Sequence, residues 1–445
     1  MARVLLVNPA LGYSSWNAPL EPPSPDNNFI RLGLAYLAGA LMSRGHEIQL
    51  ADLRMLANWE EYIEILKVFS PEWVAVSIHS VESAVGERAA RLAKSALPGV
   101  KTVAGGIHPT MFPDECLRTG VFDYVVMGEG EISLPQLIEM PEKFPRLFWG
   151  ETPDLDDIPF PTREIWPDFE IRTKIDPFGL ANYQFPLPTA EMINTRGCPY
   201  NCTFCCGPGE HQLYTKISPG GKRTSYIRGR SVANVMAELG MLISRYGVKS
   251  VMFHDDQFIL GNGAWVREFI KALHDAGMVR NGLRWVTSSR ADIICRHDSL
   301  IGEMARAGLE MLIVGFESFS PRVLKWFNKG VTSEENHRAA EILHKHGVKI
   351  WANYILGVRT DTGYHKEDDF MTVEGVLRAK PVHFSPATYT PIPGSILYKY
   401  YKDNGLILLD EEAEKLGDRG ARVPKVKGVD YEFVNAVMID DSIFI

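Results

Sequence analysis

The chain has 445 residues, enough for two or three ordinary domains. Hydrophobic residues make up 45% and charged residues 23%, so an ample buried core is available. The net charge of −8 argues against the basic surface of a general nucleic-acid binder. No apolar run approaches the roughly 18–20 residues that span a bilayer, and Met-Ala-Arg-Val-Leu-Leu-Val-Asn reads as a strand rather than a signal peptide. A cytoplasmic protein without a membrane or nucleic-acid partner is expected, in a compartment where cysteines stay reduced and available to metal.

Residues 3–140 alternate short apolar runs with helical patterns. The runs at 4–7, 48–50, 73–78, 100–104 and 124–126 are rich in Val and Ile and bounded by polar residues or Gly, which predicts strands. Helical spacing occupies 32–42, 59–69, 85–96 and 111–117. This alternation predicts an α/β, doubly wound (Rossmann-like) domain whose ligand binds outside the carboxyl ends of a parallel sheet. The loops at those ends carry unusual sequences. Asn8-Pro9 leads into a Pro-rich stretch, and Ser77-Ile78-His79-Ser80 follows the third strand. Gly105-Gly106-Ile107-His108-Pro109-Thr110 follows the fourth, and Gly128-Glu129-Gly130-Glu131 the fifth. Glycines there permit positive φ or a close approach to a ligand. No G-x-G-x-x-G follows the first strand, so a dinucleotide is not the first choice.

Residues 151–167 are dense in Pro and Asp, which excludes a regular helix or a central strand and marks a linker. From 191 onward the strand-then-helix pattern returns about six times, with strands expected at 191–194, 250–254, 283–287, 310–315, 349–356 and 382–388. Six βα units cannot close an eight-stranded barrel. An open, partial (β/α)6 barrel follows, again with its site at the carboxyl ends of the strands.

The first of those strands runs into Arg196-Gly197-Cys198-Pro199-Tyr200-Asn201-Cys202-Thr203-Phe204-Cys205-Cys206. Cys198, Cys202 and Cys205 form C-x3-C-x2-C, a spacing that lets one loop wrap one inorganic cluster. Three thiolates can hold three irons of a [4Fe–4S] cube and leave the fourth open to a small molecule. A zinc site would normally bring a second C-x2-C knuckle, and none follows. The spacing assigns Cys206 no iron, and it is expected either to pack beside the loop or to support the iron ligands from behind.

These motifs resemble the radical S-adenosylmethionine (SAM) superfamily over about residues 190–395, and the N-terminal loops resemble the cobalamin-binding domain that precedes some of its cores. The resemblance implies domains at 1–145 (cobalamin-binding), 146–189 (linker), 190–395 (radical SAM) and 396–445 (a short C-terminal extension). It implies the cluster on Cys198, Cys202 and Cys205. It also implies SAM contacts from Tyr200, Phe204, Asp255, Asp256, Ser288, Arg290 and Glu317, where Arg290 pairs with the SAM carboxylate and the Phe253-His254-Asp255-Asp256 strand end holds its amine or ribose. Cobalamin contacts are expected from Asn8, Pro9, Tyr13, Ser77, Gly105, Gly106, His108, Gly128, Glu129 and Gly130. The sequence has no D-x-H-x-x-G, the motif whose His ligates cobalt from below. Cobalamin is therefore expected with its base detached and without a His ligand, and Tyr13 and Trp16 are candidates for the space beneath the metal.

The family's commonest use of these parts is methyl transfer from methylcobalamin to an unactivated carbon, after hydrogen abstraction by a 5′-deoxyadenosyl radical. An external flavodoxin- or ferredoxin-like protein would supply the electron. The resemblance leaves open ring closure or rearrangement without net methyl transfer, and a non-catalytic cobalamin or iron–sulfur sensor. The short core suits a bulky substrate such as a peptide or protein residue, as in the glutamine C-methyltransferases acting on methyl-coenzyme M reductase. A small molecule is the alternative.

Overall fold

The computed structural model describes residues 1–9, 30–174, 185–217, 226–408 and 425–438. The chain divides into two compact units. The first draws on Met1–Phe169 and Gly209–Tyr226, and the second on Glu170–Pro208, Ile227–Leu416 and Pro424–Ile445.

The first unit is built on six parallel strands: β1 (Arg3–Asn8), β2 (Glu47–Asp52), β3 (Trp73–Ser77), β4 (Lys101–Gly105), β5 (Tyr124–Met127) and β6 (Leu147–Trp149). Their order is β2-β1-β3-β4-β5-β6. The strand order reverses between β1 and β3, the switch point at which doubly wound sheets bind ligands. Leu5, Val7, Val74, Val76, Ala104 and Val125 are fully or nearly fully buried, as apolar strands covered on both faces require. Helices α1 (Leu32–Met42), α2 (Trp59–Phe69) and α3 (Ser83–Ala96) follow the first three strands.

Two sequence expectations change here. The helix expected over 111–117 is two short ones, α4 (Ile107–Met111) and α5 (Pro113–Arg118), because Pro113 lacks the N–H that would continue the first. Strand β6 lies inside the stretch read as linker and adds a sixth strand beside β5.

The second unit starts with β7 (Thr189–Met192). A two-residue strand β8 (Thr195–Arg196) follows, paired antiparallel with β9 (Arg228–Gly229). Then come β10 (Ser250–Phe253), β11 (Arg284–Arg290), β12 (Leu309–Glu317), β13 (Lys349–Leu356), the hairpin β14 (Arg359–Thr360) and β15 (Gly363–Tyr364), and β16 (His383–Thr388). Six of these form one parallel sheet in the order β16-β13-β12-β11-β10-β7. β7 and β16 are its two edges, so the sheet is the open partial barrel that six βα units predict. Its helix-facing side packs Val251, Phe253, Trp285, Leu312, Val314, Ile350 and Leu356 into one core. Phe253, Phe269 and Trp285 meet edge to face, with centroids 5.7–6.2 Å apart. No described helix is long and apolar enough to cross a membrane.

Candidate functional site

The cysteine loop leaves β8 and is tied at several points to the strand ends around it. Asp255, two residues beyond β10 and 4% exposed, directs Oδ1 at the loop's entrance. That oxygen accepts from the Asn194 N–H at 3.1 Å, the Thr195 hydroxyl at 2.6 Å and the Thr195 N–H. Asp256 accepts from the Gly197 N–H at 3.0 Å, and Gly197 takes φ +86°, a conformation glycine adopts freely. Mid-loop, Thr203 donates its N–H to the Phe327 carbonyl (2.9 Å) and its hydroxyl to the Trp326 carbonyl (2.7 Å). The Thr203 carbonyl accepts from the Leu397 N–H at 3.0 Å. Asn328 Nδ2 donates to the Asn201 carbonyl at 2.9 Å.

Cys198, Cys202 and Cys205 all carry free thiols, and no disulfide joins them. Arg290, 7% exposed, places Nη1 3.4 Å from Cys202 Sγ and lies over the Tyr200 ring, 3.7 Å from its centroid. The same guanidinium donates from Nε to Asp292 at 2.9 Å and from Nη2 to the Lys329 carbonyl. Lys329 Nζ donates to Glu317 Oε1 at 2.9 Å and stands 5.9 Å from the Phe204 ring centroid, while Phe204 packs on Phe327 at 4.5 Å. Glu317 adopts φ +61° at a register shift between β12 and β13. A Cβ on Gly315 would come within 2.6 Å of Glu317 Oε1 and 3.2 Å of Lys329 Nζ, so glycine makes room for this ion pair. The Ser288 hydroxyl donates to the Asp255 carbonyl at 2.9 Å.

The electrostatics differ along the loop. Burial pushes the Cys198 thiol up. It pushes Cys202 up too, against the pull of Lys329 and Arg290. A hydrogen bond from Cys206 draws Cys205 down to about 7, against burial and with help from the Gly207 N–H. Burial raises Asp256 and lifts Asp255 to about 7, and it lowers His254 to about 4. His254 Nε2 lies 3.8 Å from Glu191 Oε2.

The residues expected around SAM thus converge at the strand ends, yet several already have protein partners. Asp255, Asp256 and Arg290 hold the cysteine loop in place. Lys329, Thr195, Thr203 and Asp292 belong to the same scaffold. Nothing local in the sequence marks Thr195 or Thr203.

In the first unit, Ser77 and Gly105 end β3 and β4, Gly106 caps α4 and His108 lies in its first turn, and Gly128, Glu129 and Gly130 follow β5. Gly106 has φ +100°, and a Cβ there would lie 3.0 Å from the Ile78 backbone. Gly128 has φ +72°, and its Cβ would press on Trp149 at 3.0 Å. His108 is buried and near Ser80 Oγ (3.3 Å). Asn8 is buried with Nδ2 donating to Asp52 at 2.9 Å, and Pro9 is buried beside it. Glu129 accepts from the Tyr214 hydroxyl at 3.2 Å. Tyr13 and Trp16 lie outside the described residues.

A three-cysteine loop that follows β8, just beyond the β7 edge of an open parallel sheet, with a doubly wound domain earlier in the sequence, is the arrangement that the radical SAM resemblance implies. Residues 24–138 match the B12 binding domain and residues 192–364 the radical SAM superfamily. An uncharacterized methyltransferase of Pyrococcus horikoshii is 27% identical over 85% of this chain and 79% of its own length. The anaerobic magnesium-protoporphyrin IX monomethyl ester cyclase of Rubrivivax gelatinosus is 24% identical over 90% of this chain and 70% of its own. The fold is shared with the radical SAM methyltransferase TsrM of Kitasatospora setae, solved with cobalamin and a [4Fe–4S] cluster bound. That likeness has a TM-score of 0.62 at 18% identity, over 91% of this chain and 78% of that one. The chain thus carries a segment that matches the B12 binding domain and a segment that matches the radical SAM superfamily, and its cofactors are cobalamin, a [4Fe–4S] cluster and SAM.

The donor set fits the cluster. Among the described residues no three His, Cys, Asp or Glu side chains converge on a single metal ion. A cube instead takes each thiolate on a separate iron, which suits three thiols spread along one tethered loop. Arg290 and Lys329 offset thiolate charge, and a hydrogen bond already reaches the Cys205 sulfur.

Proposed function

We propose that this enzyme transfers a methyl group to an unactivated carbon of its substrate, with Cys198, Cys202 and Cys205 as the three cluster ligands. The observation that carries this reading is the tethered three-thiol loop at the end of β8, in a chain whose earlier residues match a B12 binding domain. When bound, the cofactors supply one-electron cleavage of SAM, hydrogen abstraction and the transferred methyl.

The chain's own residues position and shield. Asp255 and Asp256 fix the loop's entrance through Asn194, Thr195 and Gly197, and Thr203 anchors its middle. Arg290 bridges Cys202, Asp292 and Tyr200, so the loop keeps its shape as its thiols lose protons. Tyr200, Phe204, Ser288 and Glu317 provide the aromatic and polar surface for SAM at the strand ends, with Arg290 facing the loop. Asn8, Pro9, Ser77, Gly105, Gly106, His108, Gly128, Glu129 and Gly130 form or support the cobalamin site at the carboxyl ends of the first sheet. The substrate is a small molecule or a peptide residue, and an external flavodoxin- or ferredoxin-like protein delivers the electron.

Incubation with reductant, cobalamin and methyl-labelled SAM tests the proposal. Labelled product with S-adenosylhomocysteine and 5′-deoxyadenosine is expected. Formation of 5′-deoxyadenosine without S-adenosylhomocysteine or labelled product would overturn it. The similarity to the cyclase favours one second reading, ring closure without methyl transfer, which a product of unchanged carbon count would identify.

A further inference from the structure

One surface of the second unit is bonded directly to the cysteine loop, and the methyl-transfer reading gives it no role. Two short helices form it, Pro321–Trp326 and Ile396–Asp403. The Trp326 carbonyl accepts from the Thr203 hydroxyl at 2.7 Å, and the Leu397 N–H donates to the Thr203 carbonyl at 3.0 Å. Thr203 follows Cys202 in the chain. On the other side of Cys202, exposed Asn201 accepts from the side chain of exposed Asn328 at 2.9 Å. Cys202 itself is buried, so this surface is joined to the residues before and after a buried thiol.

The outer side of these helices is apolar at its centre. Ile392 and Ile396 are 39% and 49% exposed. Tyr400, one turn beyond Ile396, is half-buried against half-buried Trp326, with ring centroids 5.1 Å apart. Leu397 and Tyr401 take the inner side and are buried. Phe327, next to Trp326, is fully buried and packs on Phe204 of the cysteine loop at 4.5 Å. The surround is basic. Lys325, Lys399 and Lys402 are exposed on the two helices against one acid, Asp403, in a chain whose net charge is −8. Arg322 adds little, because buried Asp368 pairs with it at 3.0 Å.

We propose that this surface docks an acidic one-electron carrier protein, which reduces the cluster held by Cys198, Cys202 and Cys205. The inference rests on the reading of those cysteines as cluster ligands. Electron transfer weakens steeply with distance and is favoured along covalent and hydrogen-bonded paths. Here a half-buried tryptophan is one hydrogen bond from the residue after Cys202. Electron-transfer encounters bury little area, less than about 1,200 Å², so a small apolar centre suffices. The lysines select an acidic partner and speed its approach. In the transfer a flavin hydroquinone anion becomes the neutral semiquinone and [4Fe–4S]2+ becomes [4Fe–4S]+, with one electron and no proton moved.

The test uses the full-length protein with its cluster reconstituted and its iron and sulfide counted, and follows cluster reduction by stopped-flow absorbance. The reductants are flavodoxin hydroquinone and photoreduced 5-deazariboflavin, which is small and uncharged. Lys325→Glu with Lys399→Glu should slow reduction by flavodoxin about tenfold or more at low salt. Added salt should slow the unsubstituted protein towards that variant. Ile396→Ser, which changes no charge, should also slow reduction by flavodoxin. Reduction by 5-deazariboflavin should be the same in every protein. Lys271→Glu, a charge reversal on the separate helix Ala264–Asp275, should match the unsubstituted protein with both reductants. Unchanged flavodoxin rates in the docking variants overturn the proposal. So does a loss shared by 5-deazariboflavin, which would place the change in the cluster, or one matched by Lys271→Glu, which would make it an effect of net charge. A dimer in sedimentation that Ile396→Ser converts to monomer would give the surface to a second copy and also overturn it. A protein that assembles no [4Fe–4S] cluster overturns the cluster reading, and the docking assignment with it.

Discussion

Asp255 Oδ1 and Thr195 Oγ1 stand 2.6 Å apart, so the carboxylate at the end of β10 closes on the strand that delivers the cysteine loop. Removing that acceptor leaves the Asn194 and Thr195 N–H groups without a partner at a buried site, while the Thr195 hydroxyl keeps the Gln257 carbonyl at 3.2 Å. Each such group costs about 1–3 kcal/mol. Asp255→Ala is expected to lose about 3 kcal/mol in denaturant unfolding and to retain less iron after reconstitution.

The same carboxyl makes stability depend on pH. Burial raises Asp255 from 3.8 to about 7 in the folded chain, so the folded state keeps a proton that the unfolded state releases. Its contribution is present in full below about pH 4 and is lost as pH rises through about 7. Asp255→Asn, neutral throughout and still an acceptor, should flatten the fall in unfolding free energy between those limits. An unchanged slope in the Asn variant would exclude Asp255 as its source.

Lys329 and Glu317 form an ion pair with side chains 5% and 15% exposed. Breaking one partner of such a pair costs about 3–5 kcal/mol, because the other charge is left buried. Lys329→Met should show a loss of that order, and Lys329→Met with Glu317→Leu should recover much of it. The double-mutant cycle in unfolding free energy measures the coupling directly. Gly315→Ala should damage the same pair by crowding Glu317 Oε1.

The cysteines separate by role. Cys198→Ala, Cys202→Ala and Cys205→Ala should each abolish stoichiometric iron and sulfide after reconstitution. Cys206→Ala should keep the iron and alter the cluster's reduction potential, since Cys206 acts on the Cys205 sulfur through a hydrogen bond.

Arg290→Lys distinguishes a loop scaffold from a SAM contact. Lysine cannot serve Asp292, Cys202 and the Lys329 carbonyl together. Iron retention should fall, with a stability loss of about 2 kcal/mol. SAM affinity, measured by equilibrium binding on the fraction that keeps its cluster, should change little. A large drop in SAM affinity at full iron content would instead make Arg290 a SAM ligand.

Both sheets were legible in the sequence wherever Val- and Ile-rich runs alternated with helical spacing, and the cysteine loop was expected from its spacing together with the family resemblance. β6 was not, because Leu147–Trp149 is too short to carry periodicity and sits ahead of a Pro-rich stretch. The partners of Asp255 and Arg290 were illegible for a different reason. Thr195 lies 60 positions before Asp255 and Cys202 lies 88 before Arg290, so no local pattern encodes either contact. Motif resemblance pointed these residues at SAM, and the fold adds the contacts that they make with the loop.

The bond from the Leu397 N–H to the Thr203 carbonyl bears on how the protein is made. A ribosome that has just finished the cysteines has yet to translate Asp255, Arg290, Lys329 and Leu397. The thiols therefore emerge on a slack segment, and the loop acquires its final shape only when the last strands of the sheet and the helix after them have left the exit tunnel. Iron–sulfur assembly machinery that loads the chain after that helix has emerged meets a site already set. Loading during synthesis would meet three thiols with no fixed spacing, open to oxidation or to the wrong metal.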